Sequence, residues 1–418
     1  MPASKVTTED LANMPNAADK VAEAEIDSEL KRHENWLAQR YHFRYDNLIG
    51  KPFYKPVEAA QFREMDDFNL NSILRKMKLQ NLKISKATLA DIFDSEFSPR
   101  YNAIQDYFEQ IGNKYAASKK GAIKKLSETL TVANDIGRHN WLPFLTKWLV
   151  GCVASGTNTS LDGAKNHLCL VLCGNQGDGK SKWLNRLCPP DLRLYFYANK
   201  IDVKNKDTMA YLVKCFLINI DDQLGTLNAN SEDELKNLIT TVSVKYRRSY
   251  GRYDETAPRI ASFMGSVNNP EYLRDPTGSR RFLSFLVKDI DYSPEAINMD
   301  EVWAEAYHLY KSGHVYWFKP DELLSLNEHN QQFQNQSKEE EILLKYFKPG
   351  TLEDVEADFR SNAEIMEYLQ NRTGFKNLSE NKLGRALKKH NFKKRQSGSA
   401  KMSGYDVIEL EKEPGRYS

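Results

Sequence analysis

The sequence predicts an α/β fold, with an α/β core between a helical N-terminal region and a C-terminal winged-helix-like domain. Three observations support this prediction. Apolar residues recur at helical spacing before residue 150, short apolar runs alternate with helical segments from 151 to 290, and three helical segments precede two short strands near the C-terminus. The predicted parts are a frayed or disordered arm at 1–30, the helical region at 31–150, the α/β core at 151–326, a linker at 327–338 and the winged-helix-like domain at 339–418.

The N-terminal region is predicted from its polarity and its hydrophobic spacing. Residues 1–25 are polar and contain no aromatic residue, which is typical of a segment that cannot bury a core. After an aromatic strand at Tyr41–Tyr45, helical spacing appears in Leu70–Leu79 and in Tyr101–Ile111. The segment Asn140–Val150 predicts a buried helix that leads into the core.

The core is predicted from apolar runs that are separated by helical segments. Continuous apolar character indicates strands that are covered on both faces, as in a largely parallel sheet. The predicted strands are His167–Cys173, Cys215–Ile220, Ile260–Val267 and Arg281–Val287.

A phosphate-binding loop follows the first of these strands. Gly174–Ser181 matches G-x-x-x-x-G-K-[ST] without a gap, so backbone N–H groups would face phosphates, Lys180 would neutralise them and Ser181 would ligate Mg²⁺. The alternative, a glycine turn before an ordinary helix, does not explain the strand, the Lys-Ser pair and the amphipathic continuation together. The residues predicted to bind ATP are Gly174, Asn175, Gln176, Gly177, Asp178, Gly179, Lys180, Ser181 and Lys182.

The second strand ends in two carboxylates, Asp221 and Asp222. We expect Asp221 to hold Mg²⁺ through water and Asp222 to act as the base on the attacking water. The alternative is a loop start or a helix cap. The position of the pair after the phosphate loop favours the catalytic role if this strand runs next to the loop strand.

Two further polar groups flank the later strands. Asn268, after the third strand, is a candidate sensor of the γ-phosphate, or else part of an Asn-Asn-Pro turn. Arg280 and Arg281 precede the fourth strand. Arg281 first, and Arg280 as its alternative, is a candidate finger toward a neighbouring subunit's nucleotide; a surface salt bridge is the other interpretation.

A basic and aromatic segment, Val244–Tyr253, lies between the acidic strand and the asparagine strand. Cations neutralise phosphates and aromatic rings stack on bases, so this segment predicts a hairpin that contacts single-stranded DNA. A solvated hairpin or a subunit contact remains the alternative. The candidate DNA-binding residues are Lys245, Tyr246, Arg247, Arg248, Tyr250 and Arg252, with the more distant Arg259 adding a further cation.

The C-terminal domain carries a second group of cations. Leu378, Leu383 and Leu387 can pack inward from one helical face while the cations point outward, which predicts either a winged helix on duplex DNA or a solvated charged face. The candidate DNA-binding residues here are Lys388, Lys389, Lys393, Lys394 and Arg395.

Composition limits the classes of protein to consider. Lys and Arg number 59 against 57 Asp and Glu, giving a net charge of +2, so nucleic-acid affinity must come from local patches. The five cysteines show no zinc-ligand spacing and predict buried free thiols. No apolar run reaches the length of a membrane span, so we expect a cytoplasmic protein without membrane contact.

Several of these blocks resemble the virulence-associated protein E family, a branch of the superfamily 3 helicases. The resemblance covers roughly residues 40–320. It rests on Gly174–Ser181, Asp221-Asp222, Tyr250-Gly-Arg252, Gly265-Ser-Val-Asn268 and Leu273–Phe282, with weaker likeness at Phe43–Asn47 and Ser98–Asn102. Two departures are the Asp-Asp pair, where Asp-Glu or Glu-Glu is commoner, and Ser266-Val267, where the family usually has two threonines.

The resemblance implies an AAA+-like P-loop ATPase of phages and mobile elements. It also implies a homohexameric ring that binds ATP between subunits and moves on single-stranded DNA during replication. No primase domain is visible, so priming would need a separate partner. Two other hypotheses remain: an initiator that uses ATP as an assembly switch, and a terminase-like or signalling ATPase whose arginines serve protein contacts.

Overall fold

The structure is a computed structural model, and it describes residues 29–117, 120–202, 205–221, 223–226, 229–248, 253–274, 279–292, 297–396 and 402–410. The chain forms two compact units. The first comprises residues up to Asn269 together with Arg280–His329, and the second comprises Pro270–Ser279 together with the chain from Asn330 onward.

The helices and strands follow one another in an order typical of a mixed α/β protein. The helices are α1 (29–38), α2 (Asp67–Leu79), α3 (Lys86–Phe93), α4 (Ala103–Lys114), α5 (Ala122–Glu128), α6 (Asp135–Gly156), α7 (Lys180–Arg186), α8 (Lys206–Lys214), α9 (Ala229–Thr240), α10 (Met299–Lys311), α11 (Pro320–Gln331), α12 (Lys338–Tyr346), α13 (Asn362–Thr373) and α14 (Glu380–Lys389). The strands are β1 (Tyr41–Asp46), β2 (Lys51–Pro56), β3 (Arg63–Glu64), β4 (Arg100–Tyr101), β5 (Leu130–Val132), β6 (Cys169–Cys173), β7 (Phe196–Tyr197), β8 (Leu217–Asn219), β9 (Ser243–Arg247), β10 (Asp254–Pro258), β11 (Ser262–Val267), β12 (Phe282–Ile290), β13 (Phe347–Pro349), β14 (Asp358–Ser361), β15 (Lys394–Gln396) and β16 (Ser403–Glu409).

The N-terminal region contains a four-stranded sheet in the order β3-β2-β1-β4. Only its first strand was expected, so the helical description of this region is corrected. The strand β2 begins Lys-Pro and ends Lys-Pro, and prolines at both ends hide the strand pattern because proline is disfavoured inside a sheet. The sheet covers α2 and α3 through a separate core that includes Phe43, Tyr54 and Phe93.

The central sheet has six strands in the order β5-β12-β6-β11-β8-β7. The strands β12, β6, β11, β8 and β7 are mutually parallel, and β5 pairs antiparallel at the edge. Every residue of β6 and β11 is buried, which explains their uniform apolar character. The acidic strand β8 does not lie next to the loop strand β6, because β11 runs between them. That expectation from the sequence is therefore corrected.

The helix α6 runs through the core of the first unit. Its Trp148 side chain is fully buried and donates a 3.1 Å hydrogen bond to the carbonyl of Phe263 on β11. The helix continues across the boundary predicted at 150 and 151. Because β5 pairs with β12, the segment from 130 onward also contributes to the central sheet.

The second unit has the element order of a winged helix. Helices α12, α13 and α14 pack around Leu343, Leu369 and Leu387, beside a sheet in which β16 pairs with β13, β14 and β15. A capping box starts α13, where Ser361 and Glu364 exchange hydrogen bonds, and Gly374 ends it in a left-handed conformation with φ 73°. At the junction between the units, α11 extends to Gln331, so the predicted linker begins as helix.

All five cysteines are buried and free of disulfides. In the part of the chain that the structure describes, no helix is both long and apolar enough to cross a membrane.

Candidate functional site

The ends of three parallel strands meet at one edge of the central sheet. The loop Gly174–Gly179 follows β6, Asn268 follows β11, and Asp221 follows β8 after one residue. Because β11 pairs in parallel with both β6 and β8, these positions share the carboxyl edge of the sheet. A 2.9 Å hydrogen bond from Asn219 Nδ2 to Asn185 Oδ1 ties the acidic strand to the helix that follows the loop.

Lys180 begins α7 and is 4% exposed. Its ammonium group donates to the carbonyl of Gly174 at 2.9 Å, to that of Asn175 at 2.6 Å and to Oδ1 of Asn268 at 3.3 Å. The lysine thus lies inside the curve of its own loop, with a buried positive charge held by neutral oxygens. An anionic group entering the loop would offer the ammonium a stronger partner.

The backbone of the loop depends on two glycines. Gly177 has φ +96° and Gly179 has φ +76°, a region that residues with a Cβ adopt at a cost. At Gly179 space is also limiting, since a Cβ there would lie 1.5 Å from Oη of Tyr292. That hydroxyl donates a 3.1 Å hydrogen bond to the carbonyl of Asp178, and Nζ of Lys182 lies 4.6 Å from the ring centroid.

The carboxylate of Asp221 is half-buried and accepts a hydrogen bond from the hydroxyl of Ser266 on β11. Asp221 lies at the carboxyl edge of the central sheet. Ser181, the second residue of α7, follows the loop that leaves the same edge. Carboxylate and hydroxyl oxygens are ligands of the kind that Mg²⁺ takes, together with phosphate and water oxygens. Asp222 lies outside the described residues.

Arg280 and Arg281 occupy the opposite end of the sheet from the loop. They directly precede β12, and β12 pairs with β6 in parallel with Phe282 beside Cys169, the first residue of β6. The two arginines line one cavity with Lys165, His167 and Trp317. Burial, with a contribution from nearby Arg259, lowers the pKa of Lys165 to about 8 and also lowers the pKa of His167.

The strands β9 and β10 form the expected antiparallel hairpin, in the register Arg247 opposite Asp254. Burial alternates along β9, so Lys245 and Arg247 face outward while Val244 and Tyr246 face inward. Tyr246 is 7% exposed. This burial corrects the prediction that its ring stacks on bases. Tyr250 and Arg252 lie outside the described residues.

Arg248 anchors the hairpin within the first unit. Its Nε donates to both carboxylate oxygens of Glu255, at 2.8 and 3.0 Å, and its guanidinium also donates to the carbonyl of Asn47 at 2.8 Å. Asn47 belongs to the turn between β1 and β2. The predicted role of Arg248 as a DNA contact is therefore corrected, because its side chain is used to join the hairpin to the N-terminal sheet.

Arg259 is fully buried and also has a structural role. It donates to the carbonyl oxygens of Thr241 at 2.7 Å, Asn166 at 3.0 Å and Ala261. Burial without a carboxylate partner lowers the pKa of Arg259 to about 10. The residue is therefore not one of the hairpin's solvent-facing cations.

The C-terminal cations fall into two sets. Lys389 pairs with Glu340 at 2.7 Å, and Arg395 makes a two-pronged contact with Asp406, with distances between 2.6 and 2.9 Å. These contacts join elements of the domain, so Lys389 and Arg395 would have to exchange a carboxylate for a phosphate to bind DNA; their DNA contact stays a prediction. Lys388, Lys393 and Lys394 are exposed and make no ion pair with any described residue.

Two residues of the site were missed by sequence reasoning. Ser266, the partner of Asp221, departs from the family pattern, and its place two residues before Asn268 is the sequence signal that puts its hydroxyl near the same edge. Tyr292, which packs on the loop at Gly179, lies beyond β12, and no local sequence signal connects it to the loop. Only the pairing of β12 with β6 brings these parts together.

Comparison with known proteins gives one family and several structures. The model of the virulence-associated protein E-like domain matches residues 120–335, slightly more than half of the chain. The apo structure of the NrS-1 C terminal region (305–718) is similar with a TM-score of 0.45 and 12% identity, over 91% of this chain and 99% of that chain. An A form apo structure of the same region gives a TM-score of 0.42 and 12% identity, over 90% and 98%. No curated protein matches the chain.

Proposed function

This chain belongs to the family defined by the virulence-associated protein E-like domain, and from this premise we propose that it is an ATP-dependent DNA helicase that serves replication of a phage or mobile element. The observation that carries the proposal is the convergence of Lys180, Asn268 and Asp221 on the carboxyl edge of the sheet. That edge is where open parallel sheets bind their ligands.

The chain's own groups divide the work of ATP hydrolysis. The backbone N–H groups of the loop would cradle the phosphates, and Lys180 would move from its carbonyl partners onto them. Ser181 and Asp221 would hold Mg²⁺, which neutralises phosphate charge when bound. Asn268 would orient the attacking water, and Asp222 would accept its proton.

The placement of Arg281 supports hydrolysis between subunits. The five residues of β6 alone separate the two ends of the sheet by about 13 Å at the usual rise per residue. Arg281, which precedes β12, therefore lies at the end of the sheet away from its own loop, and we propose that it reaches a neighbouring subunit's nucleotide. Repeating this head-to-tail contact generates a ring, which we propose to be a homohexamer, with Arg280 as the alternative finger.

Contact with DNA is proposed for the outward face of the hairpin. Lys245 and Arg247 face solvent there, and the 3.6 Å ion pair of Lys245 with Asp254 is exposed, so a phosphate can displace it. Cations on the exposed face suit a single strand in a central channel, because the phosphate backbone supplies most of the affinity. Priming would come from a separate primase.

The decisive test measures ATP hydrolysis with and without single-stranded DNA. We expect turnover that DNA stimulates, and a loss of about a hundredfold or more in Lys180→Ala because the phosphates lose their positioned cation. Lys124→Ala removes an exposed lysine whose side chain is 68% accessible and serves as the matched control. Wild-type protein that neither binds nor hydrolyses ATP would refute the proposal.

A second candidate function is an ATP-switched DNA-binding initiator that does not unwind processively. The observation in its favour is the anchoring of the hairpin. The bonds of Arg248 to Glu255 and Asn47 favour a hairpin that binds DNA without moving relative to the rest of its subunit. Strand displacement on a forked duplex separates the two functions: a helicase releases the strand, whereas an initiator hydrolyses ATP and leaves the fork paired.

A further inference from the structure

Helix α14 of the second unit has one buried face and one face whose side chains form no ion pair with any described residue. Leu383, Ala386 and Leu387 are buried in the domain's core. On the opposite side, Asn381, Arg385 and Lys388 recur at the i, i+4 and i+7 spacing of a single helical face and are exposed. Arg385 and Lys388 form no ion pair with any described residue. The neighbouring Lys389, by contrast, is paired with Glu340.

Gly384 lies on the same outward side, and nothing within the described chain explains it. A glycine inside a helix makes that helix less stable than alanine would, so it needs a compensating reason. A left-handed φ is not that reason, and a Cβ built on Gly384 meets no atom within 4 Å. The helix is thus less stable than it would be with alanine, and it has no side chain at the position between Asn381 and Arg385. Close approach by something outside the domain would explain this.

Three separate elements line one groove at this surface. The start of α13 contributes Asn362, α14 contributes Asn381, Gly384, Arg385 and Lys388, and the hairpin of β15 and β16 contributes Lys394 and Ser403. Glu380, at the first position of α14, lines it as well. The groove is therefore formed by both helices and by the strands of the hairpin, with three cations and two amides on it.

We propose that this groove is a duplex-DNA site in which α14 enters the major groove and reads base edges through Asn381 and Arg385. Gly384 would allow the helix backbone to approach the bases, and Lys388 and Lys394 would contact phosphates on either side. The inference deepens the proposed function, on which it rests, by assigning sequence recognition to the second unit. The pinned cations Lys389 and Arg395 would not take part.

The chemistry of the groove favours duplex DNA over other polyanions. The major groove of B-form DNA is about 12 Å wide and admits an α-helix, whereas the deep, narrow major groove of A-form RNA does not. Arginine forms paired hydrogen bonds with guanine and asparagine with adenine, and a carboxylate such as Glu380 accepts from cytosine. An acidic peptide would be bound by the cations alone, and it would not explain the two asparagines or the glycine in the groove.

The test uses the full chain and a pool of duplexes that carry a random central segment, with selection followed by titration at several salt concentrations. We expect wild-type protein to enrich a defined sequence. Arg385→Ala should lose about tenfold in affinity for it and tolerate other bases at one position, while Lys394→Ala should weaken all duplexes equally and reduce the salt slope by about one. Lys376→Ala removes an exposed lysine outside the groove and should change neither property.

Gly384→Ala is the sharpest variant, because it separates binding from folding. The added methyl has free space inside the domain, so the thermal midpoint should stay equal or rise, while duplex affinity should fall about tenfold or more. Unchanged duplex affinity and unchanged sequence selection in Gly384→Ala and Arg385→Ala would overturn the inference. Preference of the wild type for an RNA hairpin or an acidic peptide over every duplex would do the same.

Failure here is distinguishable from failure of the proposed function. The same variants are assayed for ATP hydrolysis, which does not involve the groove. Normal hydrolysis with no sequence-selective duplex binding removes only the inference about α14. Absent hydrolysis in the wild type, with duplex selection intact, removes the ATPase proposal and leaves the DNA site standing.

Discussion

Gly177 and Gly179 share a left-handed backbone but differ in their surroundings. A Cβ at Gly177 would meet nothing within 4 Å, whereas a Cβ at Gly179 would overlap Oη of Tyr292 at 1.5 Å. Alanine at Gly177 should therefore cost only the backbone strain, about 1–2 kcal/mol. Alanine at Gly179 must also displace Tyr292, which disturbs the hydrogen bond to the carbonyl of Asp178 and the path of the phosphate loop.

We therefore predict that Gly179→Ala weakens ATP binding at least about tenfold more than Gly177→Ala, measured by calorimetric titration. The double variant Gly179→Ala with Tyr292→Ala removes the clash and should recover part of the loss, since residues in contact give non-additive effects. Equal losses in the two single variants, or no recovery in the double variant, would show that the Tyr292 contact does not restrict the loop.

At the same scale, the sequence shows which cations exist but not which are already engaged. Arg248, Arg259 and Arg395 all lie in basic segments, yet each is held by oxygen atoms of its own domain. Asn47 and Asn166, the partners of Arg248 and Arg259, are distant in sequence. Asp406, the partner of Arg395, lies on the neighbouring strand of a hairpin. The loop Gly174–Ser181 is recognisable in the sequence because its pattern lies within one short segment, whereas the state of a cation depends on the fold around it.

The hairpin of β9 and β10 shows how an element sorts its residues. Its alternating burial sends Lys245 and Arg247 to solvent and Tyr246 inward. The pattern was available in the sequence, because Val244 and Tyr246 share one face of a strand and valine favours the buried one. The anchoring of Arg248 to Asn47 was not available, since it depends on the unforeseen sheet of β1 and β2.

We predict opposite effects for the two kinds of cation in the hairpin. The pair Lys245→Ala and Arg247→Ala should abolish most stimulation of ATP hydrolysis by DNA while leaving amide hydrogen exchange across β9 and β10 unchanged. Arg248→Ala removes the half-buried bonds to Glu255 and Asn47 and should lower stability by about 1 kcal/mol, with faster exchange in the hairpin. The assignment would be contradicted if the Lys245 and Arg247 substitutions altered amide hydrogen exchange in the hairpin while only Arg248→Ala lost the stimulation of ATP hydrolysis by DNA.

At the scale of the whole molecule, the order of the strands decides which groups can act together. Apolar runs in the sequence predicted β6, β8, β11 and β12 but not the order in which these strands pair. Because β11 lies between β6 and β8, Ser266 on β11 lies beside Asp221. The separation of Arg281 from the loop Gly174–Gly179 can be inferred from the sequence, because the loop follows β6 whereas Arg281 precedes β12. In a parallel sheet those positions lie at opposite ends.

That separation leads to a prediction for mixed subunits. If Arg281 acts on a neighbour's nucleotide, Lys180→Ala and Arg281→Ala should each be inactive alone and become active when mixed. In a randomly mixed ring about a quarter of the head-to-tail interfaces combine an intact Lys180 with an intact Arg281, so turnover should approach that fraction of the wild-type value. The assay measures ATP hydrolysis alongside the mass of the assemblies in solution.

The control is a chain carrying both Lys180→Ala and Arg281→Ala. Mixed with either single variant it cannot form a complete site, because one of the two groups is then missing from every interface. Recovery should therefore be absent in those mixtures although rings still form. If Arg281→Ala alone kept wild-type turnover, or if rings of verified mixed composition stayed inactive, the arginine would have no role at a neighbour's nucleotide, and the cavity it shares with Lys165 and Trp317 would need another purpose.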